Sequence, residues 1–358
     1  MSGPLLVRRE GALGRLTLNR PGQLNALSLP MIRAMTAALD SWERDDAVAA
    51  VLVDGAGERG LCAGGDVRYL DEDAARGGHE FPTLLAEEYR LDARIDRFPK
   101  PYVALMDGLV MGGGVGVSAH GSVRVVTERT VLAMPEVSIG LVPDVGGTWL
   151  LTRVPGELGT HIALAGVRLD AADAIACGLA DVCVPNGRLP ELVVGLIARL
   201  AELHERHSRA NLLTESAVRA VVDRLAVDAG ESRLLADREW VDDCYAADTV
   251  PEIVERLREA GRVETADAIT AQSPVALVLT LHALREARAL TLEQALEREY
   301  ALSRAAVRWP DFREGIRARL VDRDGAPRWR PPTLAEVTDE IVEAFLRGAR
   351  LDDPPLWA

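Results

Sequence analysis

Two carboxylates, Glu136 and Asp144, stand eight residues apart in MPEVSIGLVPDVGG, residues 134–147. The rest of that segment is apolar residues, one serine, glycine and proline. A carboxylate in such company needs a partner or holds its proton more tightly, because a lone buried charge is costly. A salt bridge or a helix cap is the ordinary fate of either residue taken singly. The chemical alternative is a general base or a nucleophile. Two glycine turns supply the complementary part: GLCAGGD at 60–66 and MGGGVG at 111–116. Each follows an apolar run and leads into a helical pattern, so both turns can aim backbone N–H groups into a common space. Such donors stabilise a developing oxyanion, and a carboxylate beside them completes the parts for acyl chemistry. Glycines that only permit tight turns and close helix packing would have the same spacing.

Other chemistries fit less well. Neither turn is followed by the GK[ST] of a phosphate-binding loop, and MGGGVG lacks the GxGxxG spacing and the ribose-binding acid of a dinucleotide site. Cys62, Cys177, Cys183 and Cys244 form no CxxC pair, so they read as reduced and structural. Ser118 and His120 in SAHG sit two apart on a helical pattern, face different directions and have no acidic orienter, which argues against a catalytic dyad. His204 and His207 share a helical face but lack an HExxH pattern, so no metal is expected. With 41 basic and 55 acidic side chains the formal charge is -14, which disfavours nucleic acid and anionic membrane as partners. No apolar run reaches the roughly 18 residues of a membrane span, and the chain meets Glu10 before any apolar signal core. A cytoplasmic protein is the expectation.

Elements that can hold these groups follow from the apolar periodicity. LLVRREGALGRLTLNRP reads as a hairpin about Glu10-Gly11. A helix follows, with Ser28 as its cap, Pro30 in its first turn and Ile32, Met35, Leu39 and Trp42 on one face. AVLVDGAG and PYVALM read as buried strands ending in glycine loops, and residues 83–97 as an amphipathic helix. Strand and helix alternate to about residue 190, which defines α/β architecture, and helical patterns rich in Arg and Glu continue from there. The expected division is a core over 1–190 and a helical region over 191–358.

Four ordered motifs carry a family resemblance: NRPGQLNAL (19–27), GERGLCAGGD (57–66), PYVALMDGLVMGGGVG (101–116) and MPEVSIGLVPDVGGTWLL (134–151). By these the chain resembles the crotonase (enoyl-CoA hydratase/isomerase) superfamily. The likeness continues through EEY (87–89), LAGVRLDAADAIACGLAD (164–181) and DFREGIRARLVDRDGAPRWRP (311–331), and is strongest to the branch that hydrolyses 3-hydroxyacyl-CoA thioesters in valine breakdown. The resemblance implies a crotonase-type β/α spiral core followed by helices that often mediate oligomer contacts. It implies an acyl-CoA substrate and no separate cofactor. The thioester oxygen would sit between backbone N–H groups, at Ala63 with Gly64 as its neighbour and at Gly113, with Gly112 lining the substrate. Glu136 falls on the catalytic glutamate, as nucleophile or as base for water. Asp144 falls on the aspartate of the hydrolase branch, and Glu88 on a substrate-contacting glutamate. Arg20, Arg59 and Arg68 are the candidates for the coenzyme A phosphates. Hydratases of the superfamily carry a second glutamate where this chain has Gly116, which speaks against standard hydration. Hydration or isomerisation of an enoyl-CoA, and a non-catalytic acyl-CoA-binding subunit, are the competing readings.

Overall fold

The computed structural model describes residues 3–67, 69, 80–206, 211–349 and 355–357. Six strands form one sheet in the order β1 (Leu5–Glu10), β2 (Leu13–Leu18), β3 (Ala50–Gly55), β5 (Tyr102–Met106), β7 (Val123–Val126) and β9 (Val182–Cys183). β1 and β2 are the antiparallel hairpin, turned by Gly11 at φ 65°, and every later pairing is parallel. A parallel sheet is covered on both faces, so its central strands are continuous apolar runs rather than alternating ones; all five residues of β5 are buried. Three shorter strands, β4 (Gly60–Cys62), β6 (Leu109–Met111) and β8 (Val131–Ala133), form a second sheet.

The chain divides into two compact units, the first being 1–65, 90–132 and 169–233, the second 66–89, 133–168 and 234–358. In the first, Leu13, Leu52, Val103, Leu105 and Val125 of the large sheet bury against Leu192, Leu196 and Leu200 of the helix Leu189–Arg206 and Val218 and Val222 of the helix Asn211–Asp223. These two helices belong with the sheet because their apolar stripes, spaced by three and four residues, need its face for burial. The division therefore does not fall at residue 190, and residues 133–168 group with the helices after 234 instead. The helix Leu29–Arg44 has Pro30 in its first turn as expected, but Ser28 makes no side-chain cap bond.

In the second unit the helices Val250–Glu259, Pro274–Ala287 and Asp339–Gly348 begin at Thr249, Ser273 and Thr338, whose side chains accept an N–H of the first turn. The helix Leu292–Arg308 begins with a reciprocal capping box between Thr291 and Gln294. Phe312 and Trp329 are buried in this unit: Phe312 packs edge-on against Phe81 at 5.3 Å, and the Trp329 indole donates to the Ala271 carbonyl. They are internal packing, not an outward face. No described helix is long and apolar enough to cross a membrane.

Candidate active site

The two glycine turns meet inside the first unit. β4 and β6 pair in parallel, Gly60 opposite Leu109 and Cys62 opposite Val110, so the chain leaves both strands at the same end. Close approach there excludes side chains: a Cβ on Gly64 would lie 3.3 Å from the Met111 carbonyl oxygen, and one on Gly114 only 2.4 Å from that of Cys62. Gly64, at φ 105°, and Gly112, at φ 49° and ψ -120°, adopt backbone conformations that only glycine enters freely. Gly113 starts the helix Gly113–Ala119.

The donor of the first turn differs from the one the resemblance implied. The Ala63 N–H donates to the Leu24 carbonyl at 3.0 Å, and the Gly64 N–H faces the Cys62 sulfur at 3.4 Å. Ala63 is therefore occupied within the fold. Gly65 and Gly113 N–H groups make no hydrogen bond among the described residues, which leaves these two as the pair able to hold an oxygen. The Leu24 carbonyl is placed by a loop with left-handed Leu24 (φ 54°) and Asn25 (φ 57°). Asn25 accepts from the Arg20 N–H and donates to the carbonyls of Ala56 and Gly60, knitting NRPGQLN to the loop before β4.

Of the cationic candidates, Arg20 donates to the Ala26 carbonyl at 2.7 Å and Arg59 has an exposed side chain, while Arg68 lies outside the described residues, as does His207. The Ser118 hydroxyl donates to the Gly114 carbonyl at 2.6 Å, one helical turn back, so it is not poised as a nucleophile. A separate cleft of about 580 Å³ in this unit has Arg15, held by Asp54 and Glu10, at its wall; from the glycine turns it takes only Gly60 and Leu61, among the described residues.

The carboxylates gather in the second unit. Glu136 opens a single 3-10 turn, Glu136–Ile139, which Gly140 closes at φ 73°. That turn is gripped by the helical tail: a Cβ on Gly140 would lie 2.7 Å from the Asp311 carbonyl carbon, and one on Gly315 2.4 Å from the Ile139 Cα. The Ser273 N–H donates to the Val137 carbonyl, and its hydroxyl to Asp311, which also accepts the Arg330 N–H. Asp144 follows at the entry to the helix Gly147–Leu151, reached through Val145 and Gly146, both with left-handed φ. Tyr89 donates its hydroxyl to Asp144 Oδ2 at 2.7 Å and lies 3.1 Å from Ser303 Oγ. Glu88, Tyr89, Glu136 and Asp144 are all buried.

Burial dominates the electrostatics. The Glu88 carboxyl is pushed up to about 8, by desolvation first and by Asp144 second. Glu136 is held well above the carboxylate range for the same two reasons, with Glu299 adding to them. Asp144 rises only to about 6, because the Tyr89 hydroxyl and its own backbone favour its charged form. Asp144 therefore ionises before Glu88, and Glu136 holds its proton more tightly than an ordinary carboxylate. One oxygen of each glutamate, Glu88 Oε1 and Glu136 Oε2, has no hydrogen-bond partner among the described residues.

Tyr89, Glu299, Ser303, Gly65 and Asn25 are absent from the residues named by sequence. Tyr89 stood in the EEY motif without a role; Glu299 and Ser303 lie in an ordinary amphipathic pattern that carries no signal of its own.

A parallel sheet with a glycine-flanked donor pair in one unit and clustered carboxylates in another defines a crotonase-type α/β protein. A family model described as enoyl-CoA hydratase/isomerase matches residues 13–346, and the chain belongs to that family. Curated relatives include the 3-hydroxyisobutyryl-CoA hydrolase, mitochondrial, of Gallus gallus, 42% identical over 95% of this chain and 87% of the relative. The protein of the same name in Homo sapiens is 40% identical over 98% of this chain and 90% of its own. Among solved structures, a carnitinyl-CoA dehydratase from Mycobacterium thermoresistibile is 47% identical, with a TM-score of 0.89 over 99% of this chain and 98% of that one. An enoyl-CoA hydratase from Rhodobacter sphaeroides is 37% identical, with a TM-score of 0.84 over 96% and 97%.

Proposed function

We propose that the protein hydrolyses an acyl-CoA thioester, with 3-hydroxyisobutyryl-CoA as the substrate. The observation that carries this reading is the carboxylate cluster, in which Asp144 ionises before Glu88 and is oriented by Tyr89 while Glu136 has a raised proton affinity. The names of the curated relatives support the same substrate.

The N–H groups of Gly65 and Gly113 take the carbonyl oxygen as it becomes an oxyanion. Glu136 activates the attacking water or attacks the carbonyl itself, and its high proton affinity suits it to either task. The coenzyme A thiolate leaves readily, so the demand for acid is mild. Asp144 accepts the hydroxyl of the acyl group, and Glu88 supports the same end of the substrate. Coenzyme A enters as part of the substrate, with Arg20 and Arg59 as candidate partners of its phosphates.

Buried, unbridged Cys62, Cys177, Cys183 and Cys244 support a reducing compartment; we place the protein in the cytoplasm, whereas its curated relatives carry the word mitochondrial in their names. Self-association through the helical region would use exposed apolar side chains such as Val263 and Trp357, and sedimentation tests it.

The solved neighbours, a carnitinyl-CoA dehydratase and an enoyl-CoA hydratase, favour a second reading, addition or removal of water across an enoyl-CoA. One experiment separates them: thiol release from 3-hydroxyisobutyryl-CoA, read with a thiol-reactive dye, beside the change in enoyl absorbance of crotonyl-CoA. Thiol release that Glu136→Gln abolishes supports hydrolysis. Hydration of crotonyl-CoA without thiol release replaces it with the second reading.

A further inference from the structure

One face of the helix Leu292–Arg308 holds both ends of Asp144. Glu299 and Ser303 are four residues apart and fully buried, so they lie one above the other on that helix. The Glu299 carboxylate accepts the N–H groups of Gly146 (2.7 Å) and Thr148 (2.9 Å), and the Thr148 hydroxyl at 2.5 Å. These bonds flank the turn that brings Asp144 into place, including Val145, a β-branched residue at φ 54°. Such a conformation persists only where its surroundings over-determine it. Ser303 acts at the other end. The Tyr89 hydroxyl has one proton, which goes to Asp144 Oδ2, so it accepts from Ser303 Oγ. Edge-on packing of Tyr89 against Tyr300, on the same helix, at 6.2 Å holds the phenol in register.

We propose that Glu299 and Ser303 are a positioning pair that sets the Asp144 carboxylate for the hydroxyl of the substrate, and so determines the preference for hydroxylated over plain acyl groups. Glu299 fixes where the backbone of residue 144 stands, and Ser303 fixes, through Tyr89, which way its carboxylate points. Neither residue touches the reacting atoms. The inference rests on the hydrolase reading, in which Asp144 meets that hydroxyl.

The test measures kcat and KM for 3-hydroxyisobutyryl-CoA and for isobutyryl-CoA, which lacks the hydroxyl, in native protein, Glu299→Gln, Ser303→Ala and Thr148→Val. Thr148→Val removes one donor to Glu299 and keeps both backbone N–H groups, so it serves where Glu299→Gln fails to fold. Misplacement of a positioning group by about 1 Å costs on the order of a hundredfold. The hydroxylated substrate is therefore expected to lose roughly 10- to 100-fold in kcat/KM, while in Ser303→Ala and Thr148→Val isobutyryl-CoA stays near its native rate and the preference collapses. Equal losses on both substrates, or an undiminished preference in the variants, overturn the proposal and leave the hydrolase reading standing. No thiol release by native protein from either substrate sinks that reading, and this proposal with it.

Discussion

Replacing Glu88 by glutamine is expected to stabilise the protein in alkaline solution while removing its activity. The Glu88 carboxyl moves from 4.5 in the unfolded chain to about 8 in the fold, by burial first and Asp144 second. At about 1.36 kcal/mol per pH unit, ionising it in place costs the folded state roughly 5 kcal/mol. Below pH 4.5 the carboxyl is protonated in both states and contributes no cost. Between 4.5 and 8 the unfolded chain releases a proton that the folded chain keeps, so stability falls as pH rises; above 8 the whole cost is present. Glutamine has nearly the same shape and no charge, but its buried amide sacrifices about 1–3 kcal/mol where donors or acceptors stay unpaired. A net gain of about 2–4 kcal/mol is expected above pH 8, shrinking as pH falls and turning into a loss of up to about 2 kcal/mol near pH 5. Urea unfolding of native protein and Glu88→Gln at pH 5, 7 and 9 measures this, with equal slopes confirming that the unfolded states match. Parallel stability curves, or a variant weaker at pH 9 than at pH 5, would refute the reasoning that Glu88 is a desolvated carboxyl.

Four further outcomes are expected. Glu136→Gln should lower thiol release about 10²- to 10⁴-fold with little change in KM, as befits loss of a base or nucleophile. Gly65→Ala should be tolerated, since a Cβ there meets nothing within 4 Å, whereas Gly65→Pro removes the N–H and should cost about 2.7–4 kcal/mol of transition-state stabilisation; equal activities of the two would return the donor role to another residue. The acid limb of kcat/KM should lie above the ordinary carboxylate range, because Asp144 ionises near 6 and burial raises Glu136 in the same direction. Gly140→Ala should destabilise by more than about 1–2 kcal/mol, given its φ of 73° and the 2.7 Å approach to Asp311, and denaturation reads this directly.

The α/β core was legible because parallel strands buried on both faces must be apolar without interruption, as AVLVDG and YVALM are. Glu136 and Asp144 were legible because carboxylates in an apolar segment demand an explanation. Ala63, the donor that the resemblance implied with Gly64 as its neighbour, is engaged for a tertiary reason: the Leu24 carbonyl, from a loop almost forty residues earlier, takes its N–H. Nothing within AGGD shows which of its donors is already engaged. The division at residue 190 failed for a similar reason, since an amphipathic stripe such as Leu192, Leu196 and Leu200 shows that a helix is covered but not what covers it.

Partners, rather than burial, sort Glu88, Glu136, Asp144 and Glu299 by task. Glu299 has three donors, and all three bonds end on the turn it holds. Among the described residues Asp144 has one side-chain donor, Tyr89, which orients it and favours its charged form. Glu88 and Glu136 each keep an oxygen without a donor among the described residues, at a price in stability that packing alone would not require. Groups satisfied by the fold build the site, and groups left unsatisfied are those a substrate or water must complete. On that criterion the helix Leu292–Arg308, which reads by itself as an ordinary charged helix, provides the framework for Asp144, and the segment MPEVSIGLVPDVGG is apolar because a desolvated carboxyl is a stronger base than a hydrated one.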